Sequence, residues 1–176
     1  LRIENRVMPS GPTSVDEVIL TDFEEYAPAY GAPTPWVVTP VGDDGGIYGV
    51  LALQLSAEGI NRVMTSDRQW EAEGLGTTGE TFLVGSDRLM RSVARKLLTN
   101  PEQYVRDVMA NGTPEDVARR QVEEGDSVLL QRVDTVAVAA ALAGQAGVTT
   151  GKSFLGPESL IAYQPLKVPG LDWVVI

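Results

Sequence analysis

The chain has 176 residues, 43% of them hydrophobic, and its net charge of −10 comes from 24 acidic and 14 basic side chains. The hydrophobic content predicts a folded chain, and the acidic balance disfavours nucleic acid and anionic lipid as partners because like charges repel. The sequence has no cysteine and no histidine, which excludes disulfides, thiolate metal sites and Ser-His or Cys-His catalytic pairs. We therefore expect no metal site, no cofactor and no catalytic residue.

The first third of the chain is predicted to be rich in strands. Residues 18–20 form a short apolar run, and residues 34–55 have the pattern of an antiparallel hairpin. The turn of this hairpin, Asp43-Asp44-Gly45-Gly46, resembles the start of a calcium loop but lacks the onward carboxylate spacing, so a plain turn is favoured. Ser56 is typical of an N-cap and predicts a helix over residues 57–72.

A second predicted hairpin covers residues 80–92. Its first strand is Thr81–Val84, and Gly85-Ser86-Asp87 is predicted to be the turn because Gly tolerates positive φ and Asp can bond its own backbone. The segment before it, Gly74-x-Gly76-x-x-Gly79, fits a dinucleotide-binding fingerprint as a string. A fingerprint of that kind must follow a strand and open a helix, whereas this one precedes a strand, so we reject a dinucleotide site.

Three helices follow, and each has a start or stop signal. Asn100-Pro101 is an N-cap followed by Pro at the first helical position, and this helix is predicted to end at Asn111-Gly112. Thr113-Pro114 predicts the start of a second helix that ends at Gly125. Asp134 is predicted to cap a third, Ala-rich helix that ends at Gly144.

The last quarter of the chain is predicted to be three strands, over residues 148–154, 159–163 and 171–176. From residue 76 onward the predicted order is therefore two strands, a helical insert and three strands. An antiparallel five-stranded sheet with helices on one face satisfies this order. The predicted fold class is α+β with PAS-like topology.

The string TGETFLVGSDRLMRS, residues 78–92, resembles the start of the membrane-proximal PAS-like (Cache) fold in extracellular sensor regions of bacterial transmembrane receptors. Such receptors include adenylate/guanylate cyclases, chemotaxis receptors and sensor kinases. The resemblance is collinear over residues 15–176 and includes Ala162-Tyr163-Gln164-Pro165 near the end. It implies a double-Cache sensor region, closest to those of receptor-type nucleotide cyclases.

The resemblance also implies a division of the chain into three parts. Residues 1–56 would be a truncated membrane-distal Cache-like unit, residues 57–75 a connecting helix, and residues 76–176 the membrane-proximal Cache domain. The sequence departs from the family at Val93-Ala94, where a polar residue is common. The Tyr/Arg/Trp/Asp constellation that binds amino acids in many double-Cache receptors is not found, so the resemblance carries no ligand class over.

The function implied by the resemblance is extracytoplasmic ligand sensing in a protein of the bacterial inner membrane. We expect this sequence to be a piece of a receptor whose membrane segments flank it, with a cytoplasmic adenylate/guanylate cyclase as output and no enzymatic activity in the piece itself. The alternatives are the sensor of a chemotaxis receptor or histidine kinase, and a non-catalytic dimerisation module. A carboxylate-based hydrolase is less favoured, because nothing in the spacing pairs two acids. The expected partners are a small polar or anionic ligand and a second copy of the parent receptor.

The candidate ligand-binding residues come from two regions. Arg91, Ser92 and Arg95 lie where the 80–92 hairpin ends, and two planar guanidinium groups beside a hydroxyl suit a carboxylate or phosphate. Pairing with surface Asp or Glu is the alternative for these residues, and we favour it. Three further candidates are polar residues predicted to lie on a central strand or on the helix that covers the sheet. Pockets usually combine aromatic walls with a few polar groups of this kind. The three candidates are Tyr104, Tyr163 and Gln164, for which core packing is the favoured alternative.

Overall fold

The computed structural model describes residues 17–43 and 46–176. The chain divides into two compact units. The first consists of the residues up to Ser56 together with Val168–Leu171, and the second consists of Ala57–Lys167 and Asp172–Ile176. Residues 1–16 of the predicted distal unit, and Asp44-Gly45 of the predicted turn, lie outside the described residues. The division into three functional parts stays a prediction.

The first unit is built from short antiparallel strands. A three-stranded sheet has the order β1-β4-β5, and β2 pairs with β3 in a separate two-stranded sheet. The strands are β1 (Ile19–Leu20), β2 (Glu24–Tyr26), β3 (Ala32–Thr34), β4 (Trp36–Asp43) and β5 (Gly46–Gln54). The pairing of β4 with β5 runs from Trp36↔Gln54 to Asp43↔Gly46, which confirms the hairpin predicted over residues 34–55.

The second unit opens with α1 (Ala57–Met64), which is shorter than the predicted helix over residues 57–72. The prediction was wrong beyond Met64 because three consecutive residues, Ser66, Asp67 and Arg68, have φ angles of 48°, 52° and 66°. Such left-handed backbone cannot continue a right-handed helix. Residues Ser66–Arg68 form a short 3-10 turn instead.

The sheet of the second unit is antiparallel and has the strand order β6-β9-β8-β7. Its strands are β6 (Leu83–Val84), β7 (Gly147–Lys152), β8 (Glu158–Pro165) and β9 (Val174–Val175). The predicted fifth strand is reduced to isolated bridges, in which Met90 pairs with Val84 and Leu89 pairs with Arg132. The order of these segments, with Met90 beside β6 at one edge, is that of a PAS-like sheet.

Four helices lie between the bridge at Met90 and β7. They are α2 (Arg95–Thr99), α3 (Pro101–Ala110), α4 (Glu115–Glu124) and α5 (Val136–Leu142). The Asn100 side chain accepts a hydrogen bond from the backbone N–H of Gln103 (3.1 Å), which confirms the predicted N-cap of α3. Gly125 ends α4 with a φ of 66°, in agreement with the predicted stop.

The predicted cap of the Ala-rich helix was wrong by one residue. The Thr135 hydroxyl accepts the capping hydrogen bond from the backbone N–H of Val138 at 3.3 Å. The Asp134 carboxylate instead pairs with Arg88 (2.7 Å) and Arg132 (2.5 Å). A carboxylate within reach of two guanidinium groups gains more from them than from one backbone N–H.

A single hydrophobic cluster holds the second unit together. Side chains from the sheet, the 80–92 hairpin and all four inserted helices contribute to it. Its buried members are Phe82, Val84, Met90, Val93, Ala94, Leu97, Tyr104, Val108, Ala118, Val133, Val138, Ala141, Phe154 and Val174. The α5 positions in this list are Ala and Val, whose small side chains allow the helix to pack closely on β8 and β9. Within the described residues, no helix has both the length and the apolar character needed to span a bilayer.

Candidate functional site

A cleft of about 1200 Å³ lies within the second unit. Its walls are the segment 75–82, the start of α2, the loop before β8, and the strands β8 and β9. Aromatic and aliphatic side chains form much of the lining, including Phe82, Phe154 and Ile161. Phe82 and Phe154 meet edge to face with their ring centroids 5.3 Å apart. Apolar walls with a few polar groups are the usual composition of a small-molecule site.

Three of the six predicted site residues line this cleft: Arg95, Tyr163 and Gln164. Tyr163 is partly buried, packs against the hydrophobic cluster and lies opposite Gly147 in the pairing of β7 with β8. A Cβ atom on Gly147 would be 3.0 Å from the Tyr163 hydroxyl, so glycine leaves the space that this ring occupies. Gln164 pairs with Val175 of β9 and is exposed.

Arg95 fixes the glycine-rich segment, which we call the strap (residues 74–80). Its guanidinium donates to the carbonyl oxygens of Gly79 (Nη1, 2.5 Å) and Gly76 (Nη2, 3.0 Å). The guanidinium carbon also lies 4.6 Å from the ring centroid of Trp70, a cation–π contact. Arg95 is 9% exposed. This side chain therefore acts mainly as a tie between the strap and the start of α2.

Glu80, at the end of the strap, lines the same cleft. Its carboxylate Oε2 accepts a hydrogen bond of 2.9 Å from the backbone N–H of Arg95, the first residue of α2. Burial raises the pKa of Glu80, and the Arg95 backbone hydrogen bond and the nearby charges of Arg95 and Lys96 only partly oppose the rise. Among the described residues, no ion pair includes Glu80, because Lys96 pairs with Asp107.

The other three predicted residues, Arg91, Ser92 and Tyr104, do not line the cleft in the part of the chain that the structure describes. The Arg91 guanidinium is 3% exposed and donates to Asp87 (2.8 Å) and to the carbonyl of Leu89 (2.9 Å). The Ser92 hydroxyl accepts a 3.0 Å hydrogen bond from the backbone N–H of Leu83. Both side chains thus hold the 80–92 hairpin together.

Tyr104 belongs to a buried polar network. Its hydroxyl donates to the side-chain oxygen of Gln121, and the Gln121 amide donates to Gln131 at 3.2 Å. Tyr104, Gln121 and Gln131 are each at most 2% exposed. Burial raises the pKa of Tyr104, and the charges of Glu80 and Asp126 add to the rise, so the phenol stays protonated. The network satisfies its own polar groups inside the helical insert.

The sequence analysis gave Glu80 no role, although it is a charged residue of the cleft. A signal was present, because Glu80 is the only charged residue between Glu73 and Asp87 and directly precedes the apolar strand Thr81–Val84. Within the described chain, no group of His, Cys, Asp and Glu side chains is arranged to hold a metal ion.

No protein-family model matches the chain, and no curated protein sequence matches it either. Solved structures of sensory domains do resemble it. The periplasmic sensory domain of the Campylobacter jejuni chemoreceptor Tlp1 matches with a TM-score of 0.51 and 17% identity, over 94% of this chain and 50% of that one. The ligand-binding domain of the Pseudomonas fluorescens chemoreceptor CtaA, solved with L-isoleucine, matches with a TM-score of 0.50 and 16% identity, over 91% of this chain and 50% of that one.

These similarities concern the fold. The described chain has the mixed α/β architecture of periplasmic sensory domains of the PAS-like (Cache) type, as the sequence predicted. The chain spans about half the length of each of the two solved domains.

Proposed function

We propose that this chain is part of the extracytoplasmic ligand-sensing region of a bacterial transmembrane signalling protein. The observation that carries the proposal is the cleft of about 1200 Å³ in the second unit, which combines apolar walls with Glu80, Tyr163 and Gln164. A site of this kind suits a small ligand, because it can bury an apolar body and direct a few polar groups at it. The PAS-like fold around it supports the same function. The chain itself would carry no catalytic activity.

The ligand would be small and polar, with contacts to Tyr163, Gln164 and the strap. The chemoreceptor CtaA was solved with an amino acid bound, so amino acids belong in the first set of compounds to test. Any occupant of this cleft would touch residues on both sides of it, on the strap and on β8. Ligand binding would then be coupled to the strap, which Arg95 ties to Trp70 and to α2.

The test is a thermal-shift screen of amino acids, organic acids and amines, followed by calorimetry of every hit. Ala162 is exposed on β8 and lines the cleft, so Ala162→Trp would fill part of the site. Ala110→Trp is the matched control, because Ala110 is also exposed, lies at the end of α3 and is not part of the lining. We expect the first variant to lose the ligand-induced shift and the second to keep it. Equal shifts in both variants would show that the ligand binds elsewhere.

The output of the parent protein is the finer part of the proposal. The sequence resemblance over residues 15–176 favours a cytoplasmic adenylate/guanylate cyclase, with a chemotaxis receptor or histidine kinase as alternatives. The coding sequence on both sides of this segment tests this directly. An apolar span of about 20 residues on each side supports a receptor, and the cytoplasmic domain beyond it identifies the output. Flanks without any such span would contradict the receptor function.

Homodimerisation through the parent receptor is proposed as the means of transmission. Analytical ultracentrifugation of this chain, with and without a ligand found in the screen, measures any self-association that the sensing region contributes. A ligand-dependent change in the monomer–dimer equilibrium would support the proposal.

A further inference from the structure

The charged groups that line the cleft differ in whether they are already paired within the protein or free to bind a ligand. Among the described residues, four charged ones line it: Glu80, Arg95, Lys96 and Glu158. Arg95 already donates to two carbonyl oxygens and stacks on Trp70. The Lys96 ammonium is paired with the Asp107 carboxylate. The two cations are therefore engaged within the protein, and an anionic ligand would have to compete with those contacts.

Glu80 is in the opposite situation. Its carboxylate has lost much of its water to burial, yet in the described chain it receives only the Arg95 backbone N–H. A carboxylate offers about four acceptor positions, so most of its hydrogen-bonding capacity is unused by the protein. Isolated buried charge is costly, and a cation or strong donor that reaches it from the cleft recovers part of that cost.

Glu158 does not have this property. It lies at the exposed start of β8, where water solvates its carboxylate. Exposed ion pairs contribute little, because solvent screens them and two long side chains must be ordered. Glu158 thus contributes the same formal charge to the cleft as Glu80, but its carboxylate remains hydrated. This difference makes it the natural control.

We propose that the cleft binds a small organic cation, a primary amine on an apolar body, whose ammonium group pairs with the Glu80 carboxylate while Phe82, Phe154 and Tyr163 contact the body. The inference rests on the proposed sensing function and names the ligand class of that same cleft. It replaces the anionic ligand expected from Arg91 and Arg95, because the guanidinium groups of both residues are engaged inside the protein.

The test compares ligands that share a carbon skeleton and differ only in the polar end. Phenethylamine, 2-phenylethanol and 3-phenylpropanoate carry the polar end on the same phenylethyl body, and hexylamine, 1-hexanol and heptanoate carry it on the same flexible hexyl body. Calorimetry of each with the 176-residue chain should rank the amine first and the carboxylate last in at least one series. A carboxylate that binds as tightly as its amine, or no binding of any compound in both series, would overturn the inference.

Glu80→Gln provides the matched protein variant, since the amide oxygen can still accept from the Arg95 N–H and preserve the start of α2. Losing a charge-assisted hydrogen bond should weaken amine binding by about 10- to 100-fold while leaving the alcohol unchanged. Glu158→Gln removes the same charge and should change the affinity by less than about threefold. Equal losses in the two variants would mean that only the diffuse negative field attracts amines, which overturns the role of Glu80.

The outcome also separates this inference from the sensing function. A hit from the wider screen that Ala162→Trp abolishes and Glu80→Gln leaves unchanged would preserve the cleft as a binding site and reject the amine as its ligand. Circular dichroism and thermal unfolding of each variant establish that it is folded before any affinity is compared.

Discussion

The two units of this chain differ most in the extent to which they bury their apolar side chains. In the second unit, most of the buried apolar residues meet in one cluster, and residues such as Val84, Tyr104 and Val138 are fully buried. In the described part of the first unit the buried apolar residues are fewer, namely Phe23, Pro35, Val38, Pro40 and Leu171. Strand β5 exposes Tyr48 (70%) and Leu53 (54%).

This difference follows from architecture. An antiparallel sheet buries one face only when another layer covers it, and the second unit supplies that layer with four inserted helices. The described part of the first unit contains strands and one short 3-10 turn. The comparison teaches that the helical insert makes the second unit a stable scaffold for a cleft. The free energy of unfolding should therefore depend strongly on core residues of the second unit and weakly on β5.

The largest expected effect is that of truncating a buried leucine in the second unit. Leu97 of α2 is 4% exposed, so Leu97→Ala leaves a cavity and should cost about 2–5 kcal/mol of unfolding free energy. Leu53→Ala on β5 should stay within about 0.5 kcal/mol. Urea denaturation of both variants measures the contrast. A loss at Leu53 as large as that at Leu97 would show that β5 is covered in solution.

An intermediate effect is expected at the turn of the 80–92 hairpin. A Cβ atom on Gly85 would lie 2.5 Å from the guanidinium carbon of Arg91, so Gly85→Ala must displace this buried, ion-paired side chain. We expect a loss of about 1–3 kcal/mol, as for other overpacked sites. Gly49 in β5 of the first unit is the control, because the nearest atom to a Cβ there is 3.8 Å away. Gly49→Ala should be neutral or stabilising by up to about 1 kcal/mol. Calorimetric unfolding of both variants measures the difference in stability between them.

The smallest effect concerns pH. Burial raises the pKa of Glu80, so its contribution to stability is fully present below the unfolded pKa and is lost as pH rises through the raised folded value. Glu80→Gln removes this loss. The variant should have the same Tm as the wild type at about pH 4 and a higher Tm at about pH 8, as measured by thermal unfolding at both pH values.

The control for the pH experiment is Glu24→Gln on the exposed strand β2 of the first unit, for which the Tm should equal that of the wild type at both pH values. Burial also raises the pKa of Asp126, and hydrogen-bond partners hold the pKa values of Asp107 and Asp134 low. These three carboxyl groups titrate alike in the wild type and the variants, so their effects on Tm cancel in the comparison. A Glu80→Gln variant that is less stable than the wild type at about pH 8 would show that the interactions of the Glu80 charge, including the stronger hydrogen bond that a charged acceptor forms with the Arg95 N–H, outweigh the cost of its burial.

Local signals in the sequence determined many of the elements. The N-cap at Asn100, the stop at Gly125 and the hairpin over residues 34–55 depend on short-range geometry, so the residues themselves specify them. The order of the predicted elements from residue 76 was consistent with a PAS-like fold, and the resemblance of residues 78–92 to Cache domains indicated that fold more specifically. The end of α1 could not be predicted from the sequence, because nothing in Ser66-Asp67-Arg68 indicates that three residues in succession adopt left-handed backbone.

The site depended on tertiary structure. From the sequence alone, Arg91, Ser92 and Arg95 looked like one group, because they are adjacent along the chain. The fold separates them, since Arg91 turns back to Asp87 inside its own hairpin while Arg95 reaches the strap and Trp70. The same folding brings Glu80 beside the first turn of α2 and into the lining with Tyr163, which lies more than 80 residues further along the chain. Composition and local pattern fix which groups are charged and which segments are helical, but the pairing or desolvation of a charge is decided by residues distant in sequence.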